Sequence, residues 1–97
     1  MSVLIDFAIF PTDKGDSVSP FVARALKIVK KSGLPYTLGA MGTSVEGEWD
    51  EVMAVVTECF RELSRDCDRI YMTMKVDYRK GRSECITNKV TSVEEKV

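Results

Sequence analysis

The sequence predicts an α+β domain in which two helices cover one face of a four-stranded antiparallel sheet. Three observations carry that reading. Residues 3–10 and 70–77 alternate with the period of a strand, residues 20–32 and 49–63 repeat with the period of a helix, and a glycine-rich stretch between the helices has the composition of a hairpin. The order strand, helix, strand, strand, helix, strand follows.

Val3, Ile5, Phe7 and Ile9 alternate with Leu4, Asp6, Ala8 and Phe10, and Pro11 is expected to end this first strand. After the polar loop Thr12-Asp13-Lys14-Gly15-Asp16, Ser19 is placed as N-cap and Pro20 as the first helical residue. The helix runs to Ser32 with Phe21, Val22, Ala25, Leu26 and Val29 on one face, lysines in its last turn, and Gly33 to stop it. Residues 35–41 read as the second strand, Gly42 as the turn, and 43–46 as a short third strand. The second helix opens at Gly47-Glu48-Trp49-Asp50-Glu51, and its apolar stripe is read as Trp49, Val52, Met53, Val56, Phe60 and Leu63. Ile70, Met72, Met74 and Val76 then alternate with Tyr71, Thr73, Lys75 and Asp77 in the fourth strand, the methionines being taken as core filling. Val90, Val93 and Val97 give residues 87–97 the spacing of a short docking helix or a frayed tail.

Two split β-α-β units with right-handed crossovers make this the ferredoxin-like βαββαβ sandwich, with a short C-terminal helix added. At 97 residues the chain is expected to form a single domain, residues 1–97, of modest stability without a partner. The sheet face away from the helices would carry Tyr71, Thr73 and Lys75, a mixture that suggests cover by a second copy, in a homodimer or homotetramer.

Composition removes several functions. Net charge is -1, which argues against a nucleic-acid partner, and no aromatic RNA-binding motif is present. No long apolar run occurs, and Asp6 interrupts the apolar start, so neither a membrane span nor a secretory signal is expected and a cytoplasmic location is. Cys59, Cys67 and Cys85 are odd in number and lack C-x-x-C spacing, which speaks against a disulfide framework or a zinc site. Cys59 is expected along a helix flank. The chain contains no histidine, and imidazole catalysis goes with it. No metal, catalytic residue or cofactor is expected.

The stretch from Gly39 to Asp50 stands out, with three glycines, Thr43, Ser44, three carboxylates and the single tryptophan in twelve residues. With these residues in view the chain resembles the thiamine-binding protein family of small MTH1187-like and YkoF-like domains. The pieces that carry the resemblance are Phe7-Ala8-Ile9-Phe10-Pro11, Ser17-Val18-Ser19-Pro20-Phe21-Val22-Ala23, Ser32-Gly33-Leu34-Pro35-Tyr36, Met41-Gly42-Thr43, residues 46–53 and Lys75-Val76-Asp77-Tyr78-Arg79. They span nearly the whole chain in order. The loop 12–16 departs from the pattern in being more charged.

The resemblance implies a homo-oligomer, commonly a tetramer of two dimers, that binds thiamine or its hydroxymethylpyrimidine moiety without converting it. Such a ligand needs apolar walls, a few fixed hydroxyls and a carboxylate near its donors or cation. By residue type Ser17, Ser19 and Thr43 supply hydroxyls, Glu46 the carboxylate, and Phe7, Met41 and Trp49 the walls. Ser19 can equally be only a cap and Trp49 only core. Asp6 reads either as a structural partner of Lys75 or Arg79, or with Glu46 as the carboxylate pair of a small enzyme. A structural or regulatory oligomer without a small ligand is the other alternative.

Overall fold

The computed structural model describes residues 2–97; Met1 lies outside them. Along the chain come β1 (Val3–Pro11), α1 (Ser19–Lys31), β2 (Tyr36–Leu38), β3 (Thr43–Gly47), α2 (Trp49–Ser64), β4 (Ile70–Tyr78) and α3 (Cys85–Glu94). The strands lie in the order β2-β3-β1-β4 and every neighbouring pair is antiparallel, which is the ferredoxin-like arrangement. Among the described residues no helix is long and apolar enough to cross a membrane.

Alternation in β1 turns Val3, Ile5, Phe7, Ile9 and Pro11 inward toward the helices. Pro11 is the last residue of the strand, as expected. Thr12 N–H, the next donor along, bonds to the Arg69 carbonyl at 2.9 Å, so the missing Pro11 donor faces the side where β1 has no neighbour.

α2 sits differently from the expected register. Its buried stripe is Val52, Val55, Val56, Cys59 and Leu63, whereas Trp49 and Phe60 stay outside at 53% and 48% exposure. Both sets satisfy helical spacing. The small Val55 and Cys59 let α2 lie close to α1, near enough for the Cys59 thiol to donate to the Ala25 carbonyl at 3.5 Å. Cys59 is therefore core rather than flank, and burial pushes its thiol up to about 11. Arg24 of α1 ties the same helix pair at its rim, bonding Glu62 and Asp66 at 3.0 Å.

β4 departs further from expectation. Register pairs Ile5 with Val76, Phe7 with Met74 and Ile9 with Met72, so these β4 side chains lie on the helix side of the sheet. The helices pack over β1 and β3 and leave that side of β4 open, with Met72, Met74 and Val76 at 40%, 38% and 43% exposure. The methionines are not core filling.

The last helix is held by a carboxylate, not by its valines, since Val90, Val93 and Val97 are all exposed. Glu46 of β3 is buried and accepts from the Cys85 N–H at 2.8 Å, the Ile86 N–H at 3.3 Å and the Ser2 hydroxyl at 2.8 Å. It satisfies the free donors at the start of α3 and opposes the positive end of the helix dipole. Lys89 of α3 adds an ion pair to Asp77 of β4 at 2.8 Å. Burial alone would raise the Glu46 pKa, but the bonds from Cys85, Ser2 and Ile86 outweigh it and hold the group below the ordinary 4.5. A depressed carboxylate pKa contributes stability that is complete above the unfolded value and is lost as pH falls through the folded one. Amide exchange across α3 should accordingly accelerate as pH drops below about 4.5, relative to amides of α1. Glu46→Gln should loosen α3 at neutral pH by about 1–3 kcal/mol and abolish that acid transition. Unchanged protection of α3 in the variant would contradict the anchoring role.

Candidate functional site

β1 is longer than the ladder that β3 offers it. It pairs with β4 from Val3 to Pro11, but with β3 only as far as Phe7, which faces Thr43. Beyond that point the chain leaves the sheet in the loop Gly39-Ala40-Met41-Gly42, closed by the Gly39 N–H donating to the Gly42 carbonyl at 2.8 Å. Ala8, Ile9 and Phe10 thus keep a backbone edge with no strand partner, and this edge faces the loop across a notch. Free strand edges carry unused N–H and C=O groups, which a ligand can address.

On its helix side the notch opens into a cavity of about 270 Å³. Phe7 and Ile9 come from β1, Leu38, Met41 and Thr43 from the hairpin, and Val18, Val22, Ala25 and Leu26 from α1 and its cap position. The α1 residues recur at i, i+4, i+7 and i+8, so one continuous apolar stripe forms that wall. Small-molecule pockets run from about 300 to 1,000 Å³ and are mainly apolar with few polar groups, so this cavity suits one planar ring more than a large ligand. Thr43, itself buried, brings a hydroxyl to the rim.

At Gly42 the loop runs close to β1. A Cβ there would come 2.8 Å from Asp6 Oδ1 and 3.3 Å from the Phe7 carbonyl oxygen, so a side chain would displace the Asp6 carboxylate and crowd the strand.

Of the residues singled out by sequence, the structure brings Phe7, Met41 and Thr43 together around this cavity. Met41 is 92% exposed, a flap at the mouth more than a wall. Ser17, Ser19 and Trp49 do not line it; all three are exposed. Ser19 is already helical, and Val18 occupies the cap position without any side-chain cap bond, so neither serine closes the helix end. Trp49 opens α2, behind the Glu48 cap whose N–H donates to Glu51 at 3.0 Å. Glu46 does not line it either: it faces α3, whose first N–H groups it accepts from. In the charged loop 12–16, Asp13 accepts from the Asp68 N–H at 2.8 Å and braces the turn before β4.

Val18, Val22, Ala25 and Leu26 were missed as site residues, because an apolar stripe on α1 reads as core. The sign of their second role is the hairpin opposite them, which ends its strands early at two glycines. Among the described residues no group of three or more Cys, Asp or Glu side chains is placed to hold a metal ion.

A family model described as thiamine-binding protein matches residues 5–94. A UPF0045 protein of Mycobacterium bovis is 40% identical over 95 residues, covering 97% of this chain and 93% of its own length. The crystal structure of a Methanocaldococcus jannaschii hypothetical protein superposes with a TM-score of 0.89 at 34% identity, covering 97% of each chain. A Thermotoga maritima structure, provisionally named a thiamine biosynthesis/salvage protein, superposes with a TM-score of 0.85 at 27% identity, covering 96% of this chain and 99% of its own. By the extent of that model match and of its relatives, the chain belongs to the thiamine-binding protein family.

Proposed function

We propose that this chain binds thiamine or its hydroxymethylpyrimidine moiety at the notch, without converting it, as a single domain that assembles with copies of itself. The observation that carries the reading is the apolar cavity opening beside the unpaired edge of Ala8–Phe10. A pyrimidine ring has apolar faces and a donor-acceptor rim, and the notch offers walls for the first and backbone groups for the second. Family membership and the Thermotoga maritima name support the ligand class.

The enzyme alternative loses its parts. Glu46 is engaged by three donors under α3, and burial raises the Cys67 thiol as it does that of Cys59. Neither cysteine has the exposed, low-pKa character of a nucleophile.

Self-association fits the β4 edge better than the open sheet face through which stacking was expected. The centre of that face is polar, with Asp6 flanked by Ser44 and Lys75, whereas Met72, Met74 and Val76 form an apolar stripe on the outermost strand. No strand pairs with the outer edge of β4 among the described residues, and a second β4 would complete both the ladder and the stripe.

Calorimetric titration with thiamine and with hydroxymethylpyrimidine should give saturable binding to the wild type. Val22→Trp, which fills the cavity from its α1 wall, should weaken it at least about tenfold, or 1.4 kcal/mol. No heat at millimolar ligand would refute the ligand, and undiminished binding by the variant would refute the cavity. In light scattering the wild type should run as a dimer or tetramer and Val76→Lys as a monomer. A monomeric wild type would contradict assembly, and an unchanged mass for the variant would contradict the β4 edge.

A further inference from the structure

We propose that Asp6 is the carboxylate that recognises the ligand, in a polar recess on the open face of the sheet that meets the apolar cavity at the notch. The assignment rests on the small-molecule reading above and gives that site its anionic group.

Register sets four polar side chains side by side across the sheet. Thr37 pairs with Ser44, Ser44 with Asp6, and Asp6 with Lys75, which is one row through β2, β3, β1 and β4. All four lie on the face opposite Ile5 and Val45. A recess of about 530 Å³ surrounds Asp6, and Thr73 one step along β4 adds another hydroxyl to it. Phe7, Ala8, Gly39, Met41 and Gly42 border both this recess and the apolar cavity, so the two spaces share the notch as their common wall. Asp6 is the only carboxylate lining either of them among the described residues.

An aspartate in the middle of a central strand is disfavoured by propensity and asks for a reason. Its one cation among the described residues does not supply it: Lys75 Nζ stands 4.0 Å from Asp6 Oδ2 with its side chain 87% exposed, a pair of little strength that a ligand can displace. The other oxygen, Oδ1, lies where a Cβ on Gly42 would be 2.8 Å away, so the loop passes close beside the carboxylate. The remaining neighbours, Thr37, Ser44 and Thr73, donate and accept equally well. Such a set takes a planar heterocycle that presents an amine or a positive charge. The 4-amino group of the pyrimidine supplies the first and the thiazolium of thiamine the second, and a charge-assisted bond to Asp6 would select for them.

The test is calorimetric titration of wild type, Asp6→Asn, Gly42→Ala and Glu46→Gln with three probes. These are thiamine, 4-amino-5-hydroxymethyl-2-methylpyrimidine and the 4-oxo analogue of the latter, which lacks the amine. Wild type should prefer the amino compound over the oxo compound by about tenfold or more. Asp6→Asn, nearly isosteric and half-exposed, should keep its melting temperature and lose that preference. A loss on thiamine alone would identify the thiazolium, and a loss on both amino probes the amine, as the group Asp6 meets. Gly42→Ala should weaken binding through displacement of the carboxylate, while Glu46→Gln should bind as wild type does. Should the wild type bind and Asp6→Asn match it on every probe, the assignment is wrong and the cavity reading survives. A wild type that binds none of the three removes both.

Discussion

The feature on which the rest depends is a mismatch of ladders. β1 has nine residues paired to β4, yet β3 accompanies it only from Val3 to Phe7. Everything past Phe7 on the β3 side has to be covered by something other than strand. The hairpin loop 39–42 bends over that gap without filling it, held by its own Gly39–Gly42 bond, and α1 closes the helix side with an apolar stripe. A sheet with a complete ladder there would bury the same side chains and offer nothing to a ligand. The cost of an unpaired backbone edge is avoided only where water or a ligand reaches it, which places the opening on the loop side.

Two carboxylates on the open face have been given opposite roles by their surroundings. Asp6 and Glu46 sit two register positions apart on neighbouring strands, both on the face away from α1 and α2. Glu46 is buried under α3, with three donors and a depressed pKa, so its charge is used by the fold. Asp6 has one exposed lysine at 4.0 Å and three hydroxyl side chains around its recess, which is the setting on which the proposed ligand role rests. Burial with full satisfaction marks a structural acid, whereas a half-exposed acid with one weak partner has no such structural reason.

Periodicity made the order of elements and the sheet order legible, because strand and helix repeats in β1, α1, α2 and β4 are long enough to read without the fold. Rotation of a helix about its axis was not legible: Trp49 and Phe60 fit the spacing of α2 as well as Val55 and Cys59 do, and only the closeness of α1 decides between them. The core role given to Met72 and Met74 failed for a related reason, since alternation says which face a residue takes and not whether a helix reaches that far. For the site, the hairpin residues Met41 and Thr43 and the strand residue Phe7 were visible as a glycine-dense stretch and a family pattern. Glu46 looked like a ligand residue because an acid in a strand needs a reason, but that reason lay in the N–H groups of Cys85 and Ile86, some forty residues away. Nothing in local sequence ties those positions together.

Amide chemical-shift mapping of the isotope-labelled protein during titration with thiamine tests the central claim most directly, because it locates the ligand without presuming a residue. The largest changes should fall in the two stretches that border the notch, residues 6–10 and 38–44, with Val18 and Val22 following and α3 still. Changes centred on Ser17, on Trp49 or on the start of α3, with the hairpin unmoved, would contradict it.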